Sequence, residues 1–376
     1  MAEVKLENVV KRYGDLEAVS EMTWSASQGE FLVLFGPSGA GKTTTLKLIA
    51  GLETPDEGEI YFDGKPMREV DTSDRNVSMA FENYALYPHL SVFENIAFPM
   101  MIPARSREYS KDEIKRRVTE IATVLQIEML LERMPQQLSG GQRQRVALGR
   151  CLVREPEVCL LDEPIAHLDA KLRHRMYAEL KRIQRERGTT TIYATPAQTE
   201  AMAMADRIVI LFNGKIQQIA TPRELYERPN SVAIAKFGGE QPMNIFLVEI
   251  SREGESLFFS LANQRVRAPD NLRRIVEKHA LANSVLLGIR PPDIELVLKD
   301  PNNGALPVEL YTFERLGRTA RITARMGEYL LEVASKDEIN AKVGDTIWLS
   351  FANSPVYVFD AQTMMLIDAA GTDGGA

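Results

Sequence analysis

The stretch Gly36-Pro37-Ser38-Gly39-Ala40-Gly41-Lys42-Thr43-Thr44 decides how the rest of the chain is interpreted. It has the spacing of a phosphate-binding loop: a glycine, four residues, then Gly-Lys-Thr. An apolar run at residues 31–35 precedes it and predicts a buried strand, and a helix-forming run at 44–52 follows it. In that setting, glycines let the backbone N–H groups turn toward a phosphate, and the helix N-terminus adds partial positive charge.

Two side chains of this loop have chemistry of their own. Lys42 is placed to reach the β- and γ-phosphates of a nucleotide, and the Thr43 hydroxyl to coordinate Mg²⁺. The alternative is a glycine turn that only joins a strand to a helix. Lys-Thr at this spacing, with these flanks, favours phosphate binding.

A second motif, this one acidic, ends another apolar run at residues 158–164, Val-Cys-Leu-Leu-Asp-Glu-Pro. Carboxylates at the carboxyl end of a parallel strand lie where ligands bind in α/β folds. Asp162 therefore suits Mg²⁺ ligation, and Glu163 suits polarising an attacking water. The alternative, a solvated pair of loop acids, is weakened by the phosphate loop upstream.

The segment between these motifs is predicted to be helical. Ser110 and Glu113 have the spacing of a capping box. Four apolar residues then repeat on one helix face, Ile114, Val118, Ile121 and Leu125. The block ends at Leu138-Ser139-Gly140-Gly141-Gln142, with a helix predicted at 143–153. Alone, this glycine stretch is equally well a loop and N-cap.

The remaining patterns predict the rest of the architecture. Residues 4–30 indicate antiparallel strands, where Tyr13 is either an ordinary strand aromatic or a ring that stacks on a base. Runs at 77–81, 191–195 and 207–212 complete an α/β sheet, with a charged helix at 170–187. After Gly239 the chain predicts a small all-β, barrel-like domain. Its expected strands are 285–289, 308–313, 320–325, 329–333, 346–351 and 356–360, and the tail 371–376 is expected to be disordered.

Bulk properties exclude several classes of protein. A chain of 376 residues predicts two or three domains, and a net charge of −7 argues against a non-specific nucleic-acid or anionic-lipid binder. The two cysteines, Cys151 and Cys159, fit a reduced compartment and small buried side chains. The N-terminus has no signal core and no apolar run approaches a membrane span, so any membrane role is expected to come through a partner.

Taken together, the motifs resemble the ATP-binding cassette (ABC) ATPases. The phosphate loop, Leu-Ser-Gly-Gly-Gln and Leu-Leu-Asp-Glu-Pro carry this resemblance over residues 4–238. Further stretches at 224–229 (Glu-Leu-Tyr-Glu-Arg-Pro), 242–244 (Pro-Met-Asn) and 288–291 (Gly-Ile-Arg-Pro) resemble the ATPase subunits of bacterial maltose, sugar and glycerol-phosphate importers. The resemblance implies an α/β P-loop NTPase core with an antiparallel β subdomain and a helical subdomain at about 89–150. The nucleotide-binding domain would span 1–238 and an oligonucleotide-fold-like (TOBE-type) regulatory domain 239–376.

The resemblance also implies roles for individual residues. Tyr13 would stack on adenine, and Asp169 would line a subunit interface. The phosphates of ATP would be held by Gly36, Pro37, Ser38, Gly39, Ala40, Gly41, Lys42, Thr43 and Thr44. The signature motif, acting on the ATP of a second subunit, would be Leu138, Ser139, Gly140, Gly141 and Gln142. The loop at 84–90 would receive a helix of a membrane subunit.

The implied cofactors are ATP and Mg²⁺. The implied partners are two membrane permease subunits, a second ABC ATPase subunit and, indirectly, an extracytoplasmic solute-binding protein, with no nucleic acid. The implied location is the cytoplasmic face of the inner membrane, as a peripheral subunit.

Two positions depart from the family pattern. Glu82 replaces a glutamine that touches Mg²⁺ and the attacking water, so the metal ligands would be Thr43, Asp162 and Glu82. Pro196 replaces a histidine that contacts the γ-phosphate, and proline has neither a side-chain donor nor an N–H. None of the four histidines occupies that position: His89, His167, His174 and His279. His167 could reach across a dimer interface as a substitute.

These departures leave three functions open. The first is the impaired half of a heterodimer, whose signature motif completes the partner's active site, with Glu163 as a weak general base. The second is an active homodimeric importer ATPase. The third is an ABC ATPase acting on nucleic acid or ribosomes, which the acidic charge and the absence of a basic, aromatic-rich run disfavour.

Overall fold

The computed structural model describes residues 1–102, 109–239, 241–254, 256–261, 264–268, 270–279, 284–297, 305–316, 319–335, 341–351 and 354–370. Internal contacts divide the chain into two compact units, Met1–Pro222 and Arg223–Ala376. Each unit has its own sheets and its own apolar core. The predicted tail at 371–376 lies outside the described residues.

The first unit contains a four-stranded antiparallel sheet in the order β2-β1-β4-β5. Its strands are β1 (Val4–Tyr13), β2 (Leu16–Ala26), β4 (Glu57–Phe62) and β5 (Lys65–Pro66). Buried and exposed residues alternate along much of β1 and β2 because one sheet face packs on the core. This confirms the antiparallel strands predicted for residues 4–30.

The second sheet of this unit has six strands in the order β10-β9-β3-β8-β7-β6. They are β3 (Phe31–Phe35), β6 (Val77–Ala80), β7 (Val158–Asp162), β8 (Thr190–Thr195), β9 (Arg207–Phe212) and β10 (Lys215–Ala220). All neighbours are parallel except the edge pair β9–β10. The carboxyl ends of β3, β6, β7 and β8 therefore share one edge, which positions the candidate site.

Helices connect these parallel strands. They are α1 (Lys42–Ala50), α5 (Ala170–Arg187) and α6 (Gln198–Met204). Helix α1 begins and ends two residues before the predicted range of 44–52. It ends at Ala50 because Gly51 adopts a left-handed φ of 80° and its N–H bonds back to the last carbonyls of the helix. The free thiols of Cys151 and Cys159 are buried, with Sγ atoms 3.5 Å apart.

A helical block lies between β6 and β7. It contains α2 (Val92–Met101), α3 (Lys111–Val124) and α4 (Gly140–Leu152), with short 3-10 turns at Glu128–Leu130 and Pro135–Gln137. The Ser110 hydroxyl accepts from the Glu113 N–H, but the Glu113 carboxylate binds Arg116 and Arg117, so the described contacts contain half of the predicted capping box.

The second unit consists mainly of two antiparallel sheets. The first has the order β13-β12-β11-β14-β20-β21 and the second β15-β19-β16-β17-β18. The strands are β11 (Asn244–Glu253), β12 (Ser256–Leu261), β13 (Gln264–Arg267), β14 (Ser284–Ile289), β15 (Glu295–Val297), β16 (Leu306–Leu316), β17 (Thr319–Met326), β18 (Tyr329–Ser335), β19 (Thr346–Ser350), β20 (Val356–Asp360) and β21 (Leu366–Ala370). The six predicted strands are present, whereas β11, β12, β13, β15 and β21 were not predicted.

Three helices also belong to this region: α7 (Pro222–Glu227), α8 (Val232–Phe237) and α9 (Asp270–His279). Because it contains these helices, the region is not purely β, and α9 was not predicted from the sequence. Residues 223–238 pack within the second unit, where the Arg290 guanidinium stacks on the Tyr226 ring and Ser231 pairs with Met365. The compact units thus divide before the predicted domain boundary at 238/239.

Candidate functional site

A cavity of about 680 Å³ opens beside the phosphate loop in the first unit. It brings together several predicted residues, Tyr13, Ser38, Gly39, Gly41, Lys42, Thr43, Thr44, Glu82 and Glu163. Leu16, Glu17, Ala18 and Asn213 also line it and were not predicted. Gly36, Pro37, Ala40 and Asp162 are absent from this lining. Tyr13 is 43% exposed at the cavity edge, and the Lys11 ammonium lies over its ring, 5.4 Å from the centroid.

The glycines of the loop are required by close backbone approaches. A Cβ on Gly36 would lie 2.2 Å from the Leu211 carbonyl oxygen, and Gly41 has a φ of 95°. Gly41 is the N-cap of α1, and no side chain caps this helix within the described residues. The first N–H groups of α1 therefore have no side-chain acceptor, which suits an anionic ligand.

Lys42 spans the loop in this structure. Its Nζ donates to the carbonyl oxygens of Gly36, at 2.9 Å, and Pro37, at 3.0 Å, and the residue is only 4% exposed. Burial lowers the pKa of Lys42, while the nearby carboxylates of Glu163, Asp162 and Glu82 oppose that shift. The ammonium is thus held over the turn where the motif predicts phosphate oxygens.

Thr43 and Asp162 lie side by side at the end of β7. The Thr43 hydroxyl donates to Asp162 Oδ1 at 3.2 Å, and Asp162 is 2% exposed. Burial raises the pKa of Asp162, and the hydrogen bond from Thr43 opposes the rise. A hydroxyl and a carboxylate are hard oxygen donors, so this pair fits Mg²⁺, which prefers oxygen ligands.

Glu163 follows in an unusual backbone conformation. Its φ is 46°, in the left-handed region, where non-glycine residues are uncommon. The conformation is supported from both sides: its N–H donates to the Ala194 carbonyl at 3.0 Å, and its own carbonyl accepts from Gln144 Nε2 at 3.0 Å. Burial raises the pKa of Glu163, Lys42 opposes the rise, and Glu82 adds to it. A raised pKa makes the carboxylate a stronger base.

Gln144 is a structural link that the sequence analysis missed. It is 3% exposed in α4, and its Oε1 accepts from the His167 N–H at 3.1 Å while its amide binds the Glu163 carbonyl. One side chain therefore ties the glycine-rich start of α4 to two points of the loop between β7 and α5. Only a general rule could have drawn attention to it, namely that a polar residue buried in a helix requires partners.

The Leu138–Gln142 motif is arranged as a helix start. Ser139 caps α4 in a full capping box: its hydroxyl accepts from the Gln142 N–H, and Gln142 Oε1 accepts from the Ser139 N–H. The helix therefore begins at Gly140, three residues before the predicted start at 143. None of these five residues is among those lining the phosphate-loop cavity. Asp169 caps α5, its Oδ1 accepting from the Leu172 N–H at 2.9 Å.

Pro196 lies exposed just past β8, near two hydroxyl groups that already donate hydrogen bonds. Tyr193 and Thr195 both donate to Glu200 Oε2, each at 2.7 Å. Neither Pro196 nor Thr195 therefore offers a side-chain donor at this strand end. Glu82, also exposed, follows β6 and lines the cavity.

The loop at 84–90 is held from two helices. Arg150 of α4 donates to the carbonyl oxygens of Ala85, at 2.9 Å, and Tyr84, at 3.2 Å. Asn95 of α2 is fully buried; its Oδ1 accepts from the Tyr87 N–H, and its Nδ2 donates to the Tyr87 carbonyl. Tyr87 is still 36% exposed, so the loop presents an aromatic residue whose backbone is fixed.

The described part of the chain contains no group of three or more His, Cys, Asp or Glu residues arranged to hold a metal ion. None of its helices has the length and apolarity needed to cross a bilayer.

Known proteins resemble this sequence over nearly its whole length. The family model described as ABC transporter matches residues 19–166. Trehalose/maltose import ATP-binding protein MalK of Thermococcus litoralis is 40% identical, over 96% of this chain and 99% of that protein. Oligosaccharides import ATP-binding protein MsmX of Bacillus subtilis is 39% identical, over 98% of this chain and 100% of its own. An sn-glycerol-3-phosphate import ATP-binding protein UgpC, of Ralstonia nicotianae, is 41% identical over 98% and 100%.

Solved structures share the fold of more than half of this chain. The dimeric structure of MJ0796, a bacterial ABC transporter cassette, superposes with a TM-score of 0.54 at 31% identity, covering 58% of this chain and 98% of that one. A post-hydrolysis state of the same cassette, bound to ADP and phosphate, gives a TM-score of 0.53. This chain therefore belongs to the ATP-binding cassette family of transporter ATPases.

Proposed function

We propose that this chain is the ATP-binding subunit of a membrane importer for a sugar, a polyol or a glycerol-phosphate-like solute. The observation that carries the proposal is the 39–41% identity, over almost the full length, to proteins named for importing trehalose/maltose, oligosaccharides and glycerol 3-phosphate. Its partners are two permease subunits, a second ABC ATPase and, indirectly, a solute-binding protein. It works as a peripheral subunit at the cytoplasmic face of the inner membrane.

In this proposal, ATP occupies the cavity beside the phosphate loop. Tyr13 offers a ring face to the base, and residues 36–44 offer backbone N–H groups and the Lys42 ammonium to the phosphates. Thr43, Asp162 and Glu82 would hold Mg²⁺ there, and the ion would supply charge neutralisation. Glu163 accepts a proton from water, since its supported backbone and raised pKa suit that role.

The domains divide the work. Residues 1–238 form the nucleotide-binding domain, with a helical subdomain at about 89–150, and 239–376 form an oligonucleotide-fold-like (TOBE-type) regulatory domain. Support comes from the nucleotide motifs, which all precede residue 239, and from the two sheets that dominate the second unit. The signature motif at 138–142 and Asp169 face a second ATPase subunit, because the signature residues do not line their own chain's cavity.

We further propose that this chain is the impaired half of a heterodimer. Pro196 and the occupied Thr195 hydroxyl leave no side-chain donor for charge on a γ-phosphate at this strand end, a contact typically worth about 2.7–4 kcal/mol in a transition state. Glu82 adds a third carboxylate to Asp162 and Glu163 around the Lys42 ammonium. ATP still binds, while hydrolysis takes place mainly at the partner's phosphate loop, completed by the intact signature of this chain.

An active homodimer is the second candidate. It is favoured by the intact arrangement of Lys42, Thr43, Asp162 and Glu163, which supports binding and water activation by itself.

Purification of the tagged chain from membranes tests the importer proposal. We expect two permeases and one different ABC ATPase to co-purify in fixed stoichiometry. Recovery with the permeases and no second ATPase would identify the homodimer. Recovery with ribosomes or nucleic acid and no permease would contradict the importer altogether.

A further inference from the structure

Two thiols lie in direct contact where the helical block returns to the parallel sheet. Cys151 belongs to the last turn of α4 and Cys159 to the start of β7, and their Sγ atoms are 3.5 Å apart. They are the only cysteines of the chain, and they are 3% and 4% exposed. A disulfide has about 2.05 Å between its sulfur atoms, so a closing movement of roughly 1.5 Å suffices to form one.

A small hollow borders both cysteines. Its volume is about 20 Å³, which is room for one molecule the size of water. Its lining also includes Arg154 and Arg187, which are both partly exposed, so the hollow borders groups that reach solvent. Hydrogen peroxide has one oxygen more than water, so a slight widening of this hollow admits it beside the thiols.

The surroundings of the thiols favour the protonated form and a slow first reaction. The hydrogen bond with Cys159 and burial both raise the pKa of Cys151, whereas the guanidinium groups of Arg150 and Arg154 oppose the rise. Because the thiolate is the reactive form, attack on a peroxide is slow at this site. The second step is fast by comparison, since the other thiol is already in contact with the reacting sulfur.

We propose that Cys151 and Cys159 are a modification site at which a hydroperoxide produces a reversible intrachain disulfide that slows ATP turnover. One thiolate attacks the O–O bond of hydrogen peroxide, which gives a sulfenic acid and a hydroxide ion that takes up the thiol proton as water. The other thiol attacks the sulfenic sulfur, forms the S–S bond and releases a second water. The two sulfurs lose two electrons and the peroxide gains two, so no further co-reactant is required.

The closing movement acts on the signature motif through α4. This helix is capped by Ser139 and ends at Leu152, one residue after Cys151, so a pull on its last turn acts on a continuous helix. Packed elements transmit strain, and a displacement of about 1 Å can reduce a catalytic rate about a hundredfold. This consequence rests on the proposed function, in which the signature serves the partner's site, whereas the disulfide chemistry does not.

Thiol counting on the full chain tests the chemistry. The reduced, folded protein is exposed to hydrogen peroxide, then unfolded and alkylated, and its intact mass is measured. We expect no thiol to remain for alkylation and a mass about 2 Da below that of the reduced chain, both reversed by dithiothreitol. Cys151→Ala and Cys159→Ala are the matched controls, and each should instead give a sulfenic acid that dimedone traps. Covalent dimers, sulfinic acid or two unreacted thiols in the wild type would overturn the proposal.

ATP turnover of the reconstituted transporter tests the consequence. Peroxide should lower the wild-type rate at least about fivefold, and dithiothreitol should restore it. The double variant Cys151→Ala, Cys159→Ala controls for oxidation of methionines and of the partner subunits, and it should lose less than about 1.5-fold. Because the thiol count uses this chain alone, failure of the importer proposal would leave that result intact. An equal loss in the double variant, or full turnover of the oxidised wild type, would contradict the slowing of turnover by the disulfide.

Discussion

The Tyr84 hydroxyl lies 2.8 Å from Nδ1 of His167, and the two rings meet edge to face with centroids 5.9 Å apart. Tyr84 belongs to the loop between β6 and α2, and His167 to the loop between β7 and α5. Gln144 binds the His167 backbone, so the contact is tied to α4 as well. Nδ1 of His167 is therefore already engaged within its own chain, which weakens the expectation that this imidazole reaches a partner subunit.

Removing the hydrogen bond between Tyr84 and His167 should weaken the coupling between the loop at 84–90 and the loop after β7. We expect Tyr84→Phe to lower ATP turnover of the assembled transporter by about two- to tenfold, the effect of a net hydrogen bond of 0.5–1.5 kcal/mol. ATP affinity of the isolated chain should stay within about twofold, since Tyr84 does not line the cavity. Unchanged turnover would show that the contact is only structural.

Lys42→Ala should abolish useful ATP binding. Lys42 supplies the only side-chain cation of the loop, and charge-assisted hydrogen bonds of about 1.5–3 kcal/mol each predict an affinity loss of roughly a hundredfold or more. Equilibrium binding of a fluorescent ATP analogue measures this. Lys47→Ala, on the same helix, is the control and should bind normally. Near-normal binding by Lys42→Ala would remove Lys42 from the site.

The loop at 84–90 is expected to dock a membrane subunit. Asn95 holds the Tyr87 backbone and the Arg150 guanidinium lies over its ring, yet Tyr87 is 36% exposed. An exposed aromatic residue held in place in this way favours a preformed contact surface. The double variant Tyr87→Ser, Leu90→Ser should reduce co-purification of the permeases severalfold. Leu52→Ser, another exposed apolar residue at 48% exposure, serves as the control. Normal assembly and transport in the double variant would contradict this assignment.

The second unit should show an acid-sensitive contact. Burial raises the pKa of Asp368, but hydrogen bonds from Lys278 and His279 outweigh burial and lower this pKa from 3.8 to about 2. Because the folded pKa is depressed, the stabilisation is complete above about pH 4 and is lost as the pH falls through 2. The melting-temperature difference between wild type and Asp368→Asn should therefore shrink between pH 5 and pH 2, approximately. A difference that is constant over this range would contradict the linkage.

The parts of the fold that the sequence predicted best are short apolar strands bounded by turns. Phe31–Phe35, Arg207–Phe212 and Val356–Asp360 have the predicted limits, because consecutive apolar residues between turn signals indicate a buried strand. The start of α4 was missed because two glycines indicate a loop, whereas the Ser139 cap outweighs them. Helix α9 was missed because its many charges obscure the buried Leu272 and Ile275.

Contacts that join distant parts of the chain could not be predicted from local patterns. Tyr84 and His167 are 83 residues apart, and Gln144 lies 19 residues from Glu163. Motif spacing identified the phosphate loop and the acid pair, because their chemistry is local to one turn and one strand end.

The central claim is that hydrolysis is unequal between this chain's phosphate loop and its partner's. Ser139 caps the helix that would serve the partner's site, while Glu163 belongs to this chain's own cavity, beside Glu82. A block at Ser139 should therefore disable the competent site. A neutral side chain at 163 should affect only a site already lacking a γ-phosphate donor.

Steady-state ATPase activity of the reconstituted transporter tests this most directly, with single-turnover measurement to separate coupling between sites from chemistry. We expect Ser139→Arg to reduce turnover at least about a hundredfold and Glu163→Gln to reduce it less than about threefold. Equal and near-complete loss in both variants, persisting in the single-turnover measurement, would contradict the unequal-site account and identify this chain's own site as fully catalytic.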